Sequence, residues 1–332
     1  MNRRTLLAAG AAACLAAPAA AQAFNFNAAA AYSAERRGVS LLVMRRGEVI
    51  FADYPNEGGP LRGWELASGT KSFTGVMCAA AIQDGLISSW DERAADTLTE
   101  WRNDTRRSIT IRHILSLTSG ISGGPIARPP AYADAVAQQP EAAPGERFAY
   151  GPSPFQIFGE IIRRKTNGDP LDYLVRRILA PLDIVPTHWR RGADGMPHMP
   201  SGAGLKARDW ARFGWFVLQG GEGRVDAGAL SECFNGTRAN PGYGLSFWLL
   251  RDGLVAPGRN AGIEIDTTMS ERFGGISMAA GAGNQRLYLI PALDLVIARQ
   301  ASGIVQALMR RRREPQWSDA EFLRIALGSL DQ

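Results

Sequence analysis

The stretch Glu65-Leu66-Ala67-Ser68-Gly69-Thr70-Lys71-Ser72-Phe73-Thr74-Gly75 runs directly into an apolar segment that ends at Asp84-Gly85. Apolar residues recur in this segment at steps of three and four, which predicts a buried helix. Ser68 and Lys71 are three residues apart, so they share one helix face, one turn from each other. Ser68 then lies at the helix N-terminus, where free backbone N–H groups favour negative charge.

The pair Ser68 and Lys71 has a chemical meaning. A serine hydroxyl becomes a strong nucleophile when a neighbouring base takes its proton. Lysine is such a base when burial lowers its pKa, whereas arginine stays protonated. Of the 37 Lys and Arg residues, only Lys71, Lys165 and Lys206 are lysine, so a lysine at this spacing is informative. The spacing alone arises by chance about once in a chain of this length.

The first 23 residues have the features of a removable export signal. Arg3-Arg4 supply a charged start, Leu6 to Ala20 form a short apolar run, and Ala21-Gln22-Ala23 fits a cleavage site. The start also resembles a twin-arginine signal. An uncleaved anchor is the alternative, but the run is short for a span of about 20 residues. We therefore predict a periplasmic or secreted protein without stable membrane insertion after cleavage.

Charge and cysteine content exclude several classes. The formal net charge of +5 falls to +3 without Arg3 and Arg4. The basic run Arg310 to Arg313 has no aromatic or motif context, so we expect no nucleic-acid partner. The three histidines lack ligand-like spacing, and we predict no metal and no other cofactor. Cys78 and Cys233 could form a bridge, although nothing resembles a disulfide framework.

Strand patterns occur at both ends of the mature chain, and helices are predicted between them. We therefore predict an α+β fold in which an antiparallel sheet from both chain ends is flanked by helices. Its α/β domain covers 24–82 and 205–332, and a mainly helical domain is inserted at 83–204. The predicted strands are Val39 to Met44, Glu48 to Ala52, Tyr243 to Leu250, Ile276 to Gly281, Arg286 to Ile290 and Leu293 to Arg299.

Capping signals divide the helical part. Thr110 is a predicted N-cap of a helix that ends at Ser119-Gly120, and Ser153-Pro154 reads as an N-cap followed by proline at the first helical position. Tyr150 therefore lies in a loop just before a helix. Ser122 to Gly145 is a predicted surface loop. Further helices are predicted at Leu171 to Leu179, Ala207 to Leu218 and Ser318 to Leu327.

Together these segments resemble the β-lactamase-related serine hydrolases, which include class C β-lactamases, penicillin-binding proteins and the family VIII-like esterases of the same fold. The resemblance covers nearly the whole mature chain, with its segments in the family's order. Those segments are Glu65 to Gly75, Ile109 to Gly120, Pro144 to Tyr150, Ala207 to Gly214 and Pro291 to Val296.

The resemblance implies an acyl-enzyme mechanism. Ser68 would attack a carbonyl carbon, Lys71 would hold or take its proton, and Tyr150, expected close to Lys71, would pass a proton to the leaving group. The family's third motif falls at Ala279-Ala280-Gly281. The resemblance therefore implies an oxyanion hole formed by the backbone N–H groups of Ser68 and Ala282.

Two departures from the family pattern concern the substrate. The family's Tyr-x-Asn reads Tyr150-Gly151-Pro152, so the amide that holds a substrate amide is missing, and Ser153 is a candidate replacement. The Lys-Thr-Gly or His-x-Gly motif reads Ala279-Ala280-Gly281, which has no cation for a substrate carboxylate. Ala279, Ala280 and Gly281 remain candidates for substrate contact.

The sequence therefore predicts an exported serine hydrolase that acts on small esters or amides. One alternative keeps the mechanism but makes the protein an amidase, a peptidase or a weak β-lactamase, with binding transferred to residues such as Arg286. Another alternative is a non-catalytic binding protein on the same fold. The complete set of Ser68, Lys71 and Tyr150 argues against that alternative, because a protein without catalysis is free to lose these residues.

Overall fold

The computed structural model describes residues 24–258, 263, 266–305 and 315–328. The predicted export signal and the basic run at 310–313 lie outside the described residues. Among the helices that are described, none has the length and apolar character needed to cross a membrane.

Strands from both ends of the chain form the central sheet. In the described ranges the strands are β1 (Gly38–Arg45), β2 (Glu48–Asp53), β3 (Trp64–Glu65), β4 (His188–Trp189), β5 (Ala203–Leu205), β6 (Trp248–Leu249), β7 (Ser277–Gly281), β8 (Gln285–Ile290) and β9 (Leu295–Ala301). Six of them form a sheet in the order β2-β1-β9-β8-β7-β6, and β3, β5 and β4 form a second, small sheet.

All neighbouring pairs in the large sheet are antiparallel, and β1 pairs with β9 to join the two ends of the chain. This topology confirms the predicted α+β class with a sheet built from both termini. The helices of the described ranges are α1 (Phe26–Glu35), α2 (Ser72–Gln83), α3 (Ile111–Leu115), α4 (Tyr132–Ala137), α5 (Ser153–Thr166), α6 (Pro170–Leu174), α7 (Ala207–Leu218), α8 (Ala227–Glu232), α9 (Thr267–Arg272) and α10 (Asp319–Leu327), and several of them cover the sheet.

Alternate residues of β8 face different helix layers, as the two-residue period of a strand requires. Leu287 packs against α7 so closely that a Cβ on Gly214 would lie 3.1 Å from its side chain. The next residue, Tyr288, stacks its ring on Phe322 of α10 at 5.5 Å between centroids. The sheet is therefore buried on both faces, with α7 on one side and α10 on the other.

Several predicted helix bounds match the structure. The prediction of Ala207 to Leu218 agrees with α7, and Ser318 is the N-cap of α10. The helix predicted from Leu171 to Leu179 is α6 continued by a π-helical turn, Val175–Leu179. Helices α3 to α6 all fall within 83–204, but the predicted domain boundaries themselves stay a prediction.

Other predictions were wrong or incomplete. Helix α3 does begin after the Thr110 cap, but it ends at Leu115 and not at Ser119-Gly120. The reason is a left-handed residue, Leu117 with φ +61°, which a helix cannot contain. The predicted loop Ser122 to Gly145 contains α4, and α1 was not predicted at all.

The strand predicted from Tyr243 to Leu250 is reduced to the two residues of β6. A turn interrupts it, because the Gly244 N–H donates to the Phe247 carbonyl at 2.9 Å. Ser246 within this turn has φ +79°, which takes the chain out of extended geometry. Apolar residues continue through the turn because they pack in the core, so their pattern resembles a strand.

Candidate active site

Ser68 lies on a 3₁₀ turn, Ala67–Lys71, that leads directly into α2. Ala67 has φ +47°, an uncommon conformation for a residue with a Cβ. The turn is held by the Thr70 hydroxyl, which donates to the Ala67 carbonyl at 2.7 Å, and by the Leu66 N–H, which donates to Ala203 of β5 at 2.9 Å. Ser68 is partly exposed while the residues on both sides of it are buried.

The surroundings of Lys71 lower the proton affinity of its amine. Its side chain is buried, and Nζ donates to Ser68 Oγ at 3.0 Å and to the Pro200 carbonyl at 3.2 Å. Nζ also lies 5.2 Å from the ring centroid of Phe155. Burial lowers the pKa of Lys71 from its usual 10.5 to about 7. Near neutral pH a large fraction of this amine is therefore unprotonated and can accept the Ser68 proton.

Tyr150 lies against Lys71, with Nζ 5.0 Å from the centroid of the tyrosine ring. Three other aromatic side chains surround Tyr150: Phe148, Tyr243 and Trp248, whose ring centroids lie 6.4, 6.3 and 5.5 Å away. Burial raises the pKa of Tyr150 to about 12, and the neighbouring Ser68 hydroxyl opposes that rise. The phenol therefore keeps its proton at neutral pH.

Strand β7 lies beside the turn that carries Ser68. A Cβ on Gly281 would lie 2.1 Å from the Leu66 carbonyl oxygen and 3.0 Å from the Gly69 nitrogen. Only glycine allows this close approach. Ala282 follows at once and is partly exposed, whereas Ala279 and Ala280 are buried within the strand. The strand that carries Ala279, Ala280 and Gly281 thus lies beside the Ser68 turn, and Ala282 lies at the exposed end of this strand.

Ser153 does not have the predicted capping role. Helix α5 starts at Ser153 itself, Pro152 occupies the N-cap position, and Pro152 makes no side-chain cap bond. The Ser153 hydroxyl is buried, accepts from Gln138 Nε2 at 3.1 Å and donates to the Gly123 carbonyl at 3.5 Å. Its hydroxyl is therefore engaged within the protein and does not replace the missing amide of the Tyr-x-Asn motif. The sequence Pro152-Ser153-Pro154 is compatible with an N-cap at Pro152 or at Ser153, so the sequence alone did not decide where the helix begins.

Arg286 is likewise not placed as a substrate ligand. Its side chain is only 1% exposed, and its Nε donates to Asp319 Oδ1 at 2.8 Å, with Asp319 fully buried in α10. Asp319, Phe155 and the Pro200 carbonyl are contacts of the site that were not predicted. Phe155 belongs to an apolar helical pattern that indicates burial alone, and no local signal relates the other two to Ser68.

Cys78 and Cys233 are both buried free thiols, and burial raises the pKa of each above its ordinary range. In the ranges that the structure describes, no group of three or more His, Cys, Asp or Glu residues is arranged to hold a metal ion. Ser68, Lys71 and Tyr150 lie together beside the exposed edge of β7.

A serine hydroxyl bonded to a buried lysine, next to a tyrosine and an antiparallel strand, is the arrangement that the resemblance to the β-lactamase-related serine hydrolases implied. The family model for Beta-lactamase matches residues 23–303, and the chain belongs to this family. The family assignment confirms the resemblance and the general class of serine hydrolase.

Among curated proteins, Protein flp of Staphylococcus aureus (strain N315) is 24% identical over 187 residues. The match covers 48% of this chain and 36% of that protein, so it spans about a third of the relative's length.

Among solved structures, the octameric penicillin-binding protein homologue from Pyrococcus abyssi has a TM-score of 0.64 at 18% identity, covering 86% of this chain and 77% of that one. A D-stereospecific amidohydrolase from Streptomyces sp. has a TM-score of 0.63 at 17% identity, with 85% and 97% covered. EstCE1, a hydrolase with promiscuous acyltransferase activity, has a TM-score of 0.63 at 14% identity, with 82% and 90% covered. These likenesses show the shared fold.

Proposed function

We propose that the protein is an exported serine hydrolase that cleaves esters or small amides through an acyl-enzyme on Ser68. The observation that carries this proposal is the hydrogen bond of 3.0 Å between Lys71 Nζ and Ser68 Oγ. The amine that makes this bond has a pKa of about 7, so it is able to act as a base at neutral pH. Arginine could not replace it there, because it does not lose its proton.

In the first half of the reaction, Lys71 takes the hydroxyl proton as Ser68 Oγ bonds to the carbonyl carbon of the substrate. Negative charge develops on the carbonyl oxygen, and the backbone N–H groups of Ser68 and Ala282 stabilise it. The tetrahedral intermediate then breaks the bond to the leaving alcohol or amine. The leaving group takes a proton that originates on the Lys71 ammonium and passes through Tyr150.

In the second half, water attacks the ester carbonyl of the acyl-enzyme, again with loss of a proton to Lys71. The acid product leaves and Ser68 regains its proton. The pKa values favour this division of roles, because Tyr150, at about 12, holds its proton at neutral pH and Lys71, at about 7, exchanges its proton readily. Lys71 is the base, and Tyr150 relays a proton.

The charges around the site favour a substrate without an essential carboxylate. The third motif contains Ala279 where the family has a cation, and Pro152 replaces the family's amide. The nearby cation Arg286 is paired with Asp319 and buried, so it does not offer a free charge to a substrate. The amidohydrolase and the EstCE1 hydrolase among the structural neighbours are consistent with acyl-transfer chemistry on this fold.

The proposal is tested on the mature chain with a fluorophosphonate probe, followed by intact-protein and peptide mass spectrometry. In parallel, turnover is measured with p-nitrophenyl acetate, p-nitrophenyl butyrate and nitrocefin. We expect one adduct, on Ser68, ester turnover, and no nitrocefin cleavage. Nitrocefin cleavage would favour the β-lactamase alternative, and a folded protein with neither adduct nor turnover would favour a non-catalytic role.

The matched control is Ser68→Ala. Because the hydroxyl supplies chemistry and little packing, this variant is expected to lose labelling and turnover while its melting temperature stays within a few degrees of wild type. A Ser68→Ala protein with wild-type turnover would remove Ser68 as the nucleophile.

A further inference from the structure

We propose that Arg286 is a positioning residue for the oxyanion hole. Its guanidinium holds the carbonyl of Gly281, and so it sets the direction and donor strength of the Ala282 N–H in the same peptide unit. This inference rests on the proposed function, in which Ala282 donates to the oxyanion. It assigns to Arg286 a role that acts through the backbone without contact to the substrate.

The contact that carries the inference is between Arg286 and the third motif. Arg286 Nη1 donates to the Gly281 carbonyl at 3.3 Å and to the Gln285 carbonyl at 3.1 Å. The Gly281 carbonyl and the Ala282 N–H belong to one planar trans peptide, so they point in opposite directions. A cation on the oxygen of a peptide polarises its N–H and strengthens the hydrogen bond that this N–H donates.

The guanidinium is itself fixed from the far side of the sheet. Arg286 Nε and Nη2 donate to the two carboxylate oxygens of Asp319, at 2.8 and 3.3 Å. The Asp319 carboxylate also accepts from Tyr288 and, at 2.9 Å, from Trp317 Nε1. Both Arg286 and Asp319 are nearly inaccessible to solvent, which strengthens their pairing and prevents the arginine from turning away.

Gly281, which begins this peptide, packs against the turn that carries Ser68. The Gly281 Cα lies so close to the Leu66 carbonyl that a Cβ would be 2.1 Å from that oxygen. The peptide between Gly281 and Ala282 is therefore held between the Ser68 turn and the Arg286 guanidinium. A chain of contacts runs from α10 through Asp319 and Arg286 to the proposed oxyanion donor.

The protein contains a matched control for this role. Arg299 of β9 pairs directly with Arg286 of β8 and is also fully buried. Its guanidinium donates to the Asn284 carbonyl at 2.7 Å and to the Ser33 hydroxyl at 3.0 Å. Arg299 is thus as buried as Arg286 and lies beside it on the next strand, but within the described ranges its guanidinium does not donate to the Gly281 carbonyl.

The experiment compares wild type with Arg286→Met, Arg286→Lys and Arg299→Met, using p-nitrophenyl butyrate turnover, melting temperature and inhibition by phenylboronic acid. The boronate forms a tetrahedral adduct with an active serine and so resembles the transition state. Removing a whole oxyanion donor costs about 10²–10³ in kcat, so weakening one is expected to cost about tenfold.

We expect Arg286→Met to lower kcat about tenfold with KM within about twofold, and to raise the boronate inhibition constant by a similar factor. Arg286→Lys, which keeps a cation, is expected to recover part of that loss. Arg299→Met is expected to lower the melting temperature but to leave kcat and boronate affinity near wild type. The positioning role predicts that, across these variants, the loss of kcat correlates with the loss of boronate affinity and not with the drop in melting temperature.

Two outcomes would overturn the inference. One is a folded Arg286→Met protein with unchanged kcat and boronate affinity, and the other is an equal loss in Arg299→Met. If Arg286→Met does not fold, Asp319→Asn is used, because it loosens the guanidinium while keeping the side-chain shape, and wild-type kcat in that folded variant likewise overturns the inference. Failure of the proposed function is distinguishable, since wild type would then show no Ser68 adduct.

Discussion

The Nζ atom of Lys71 lies 3.0 Å from the Oγ atom of Ser68, and the Lys71 side chain is buried. The lysine is surrounded by a hydroxyl, a backbone carbonyl and two aromatic rings, and burial is what lowers its pKa to about 7. The proton affinity of the proposed base is therefore set by packing.

The pH dependence of ester hydrolysis is expected to follow Lys71. Only the neutral amine accepts a proton, so kcat/KM should fall about tenfold for each pH unit below 7 and reach a plateau above about 8. Because the pKa of Tyr150 is about 12, no descending limb from the phenol is expected below pH 10. Initial rates with p-nitrophenyl butyrate from pH 5 to 10, corrected with Ser68→Ala, measure this profile. A flat profile would contradict the role of Lys71 as base.

Replacing the buried lysine should stabilise the protein. The folded-state pKa of about 7 lies below the usual 10.5, so between these values the unfolded chain binds a proton that the native protein does not. The resulting penalty on folding is complete below pH 7 and disappears toward pH 10.5. Lys71→Met should thus raise the free energy of unfolding by up to about 4 kcal/mol at pH 7, and by less at higher pH.

Denaturant unfolding at pH 6, 7 and 9.5 measures that difference. The control is Lys165→Met, because Lys165 forms an ion pair of 2.8 Å with Glu92 and its removal leaves a carboxylate unpaired. We expect the control to lose stability where Lys71→Met gains it. A loss of stability in Lys71→Met at pH 7 would mean that packing around the lysine outweighs the cost of its burial.

The ring of Phe155 is expected to support the protonated form of Lys71. An aromatic face 5.2 Å from the amine stabilises the ammonium, whereas leucine fills space without that attraction. The Ser68 hydroxyl and the Tyr150 ring, which also contact Lys71, are both retained in Phe155→Leu. The acidic limb of kcat/KM should move down by about 0.5 to 1 pH unit.

Phe158→Leu, on the same helix and equally buried, is the control for a general loss of packing. It should lower the melting temperature without moving the limb, and Phe155→Tyr should behave like wild type. A limb that moves upward in Phe155→Leu would show that solvent entry, and not loss of the ring, is the main effect.

Gly281→Ala should abolish most activity. The new Cβ would lie 2.1 Å from the Leu66 carbonyl oxygen, so β7 and the Ser68 turn must move apart and the proposed oxyanion donors would lose their alignment. We expect kcat/KM to fall by about 10² or more. Gly59→Ala, where the nearest atom is 3.8 Å away, is the matched control and should retain activity. Comparable activity in the two variants would exclude Ala282 as a donor aligned by this approach.

Much of the fold was predictable from local sequence patterns. The helix at Ala207 to Leu218 and the strands at Val39 to Met44 and Glu48 to Ala52 were predictable because residue periodicity is a local signal. The prediction of a strand from Tyr243 to Leu250 was wrong for most of its length. Apolar residues indicate burial in the core, and buried residues need not have an extended backbone. Ser246 lies buried in a turn with φ +79°, and its sequence context gives no sign of it.

The sequence by itself determined the parts of the site that depend on short spacing: Ser68 and Lys71 one turn apart, and the family order of the later segments. The tertiary structure decided how each residue can act. In the folded chain Lys71 is buried against Tyr150 and Phe155. The Ser153 hydroxyl is hydrogen-bonded to Gln138 and Gly123. The Arg286 guanidinium is hydrogen-bonded to Asp319 and to the Gly281 carbonyl. Burial and hydrogen bonding depend on groups that are distant in the chain, so the pKa of a lysine or the availability of a hydroxyl exists only once those groups are packed together.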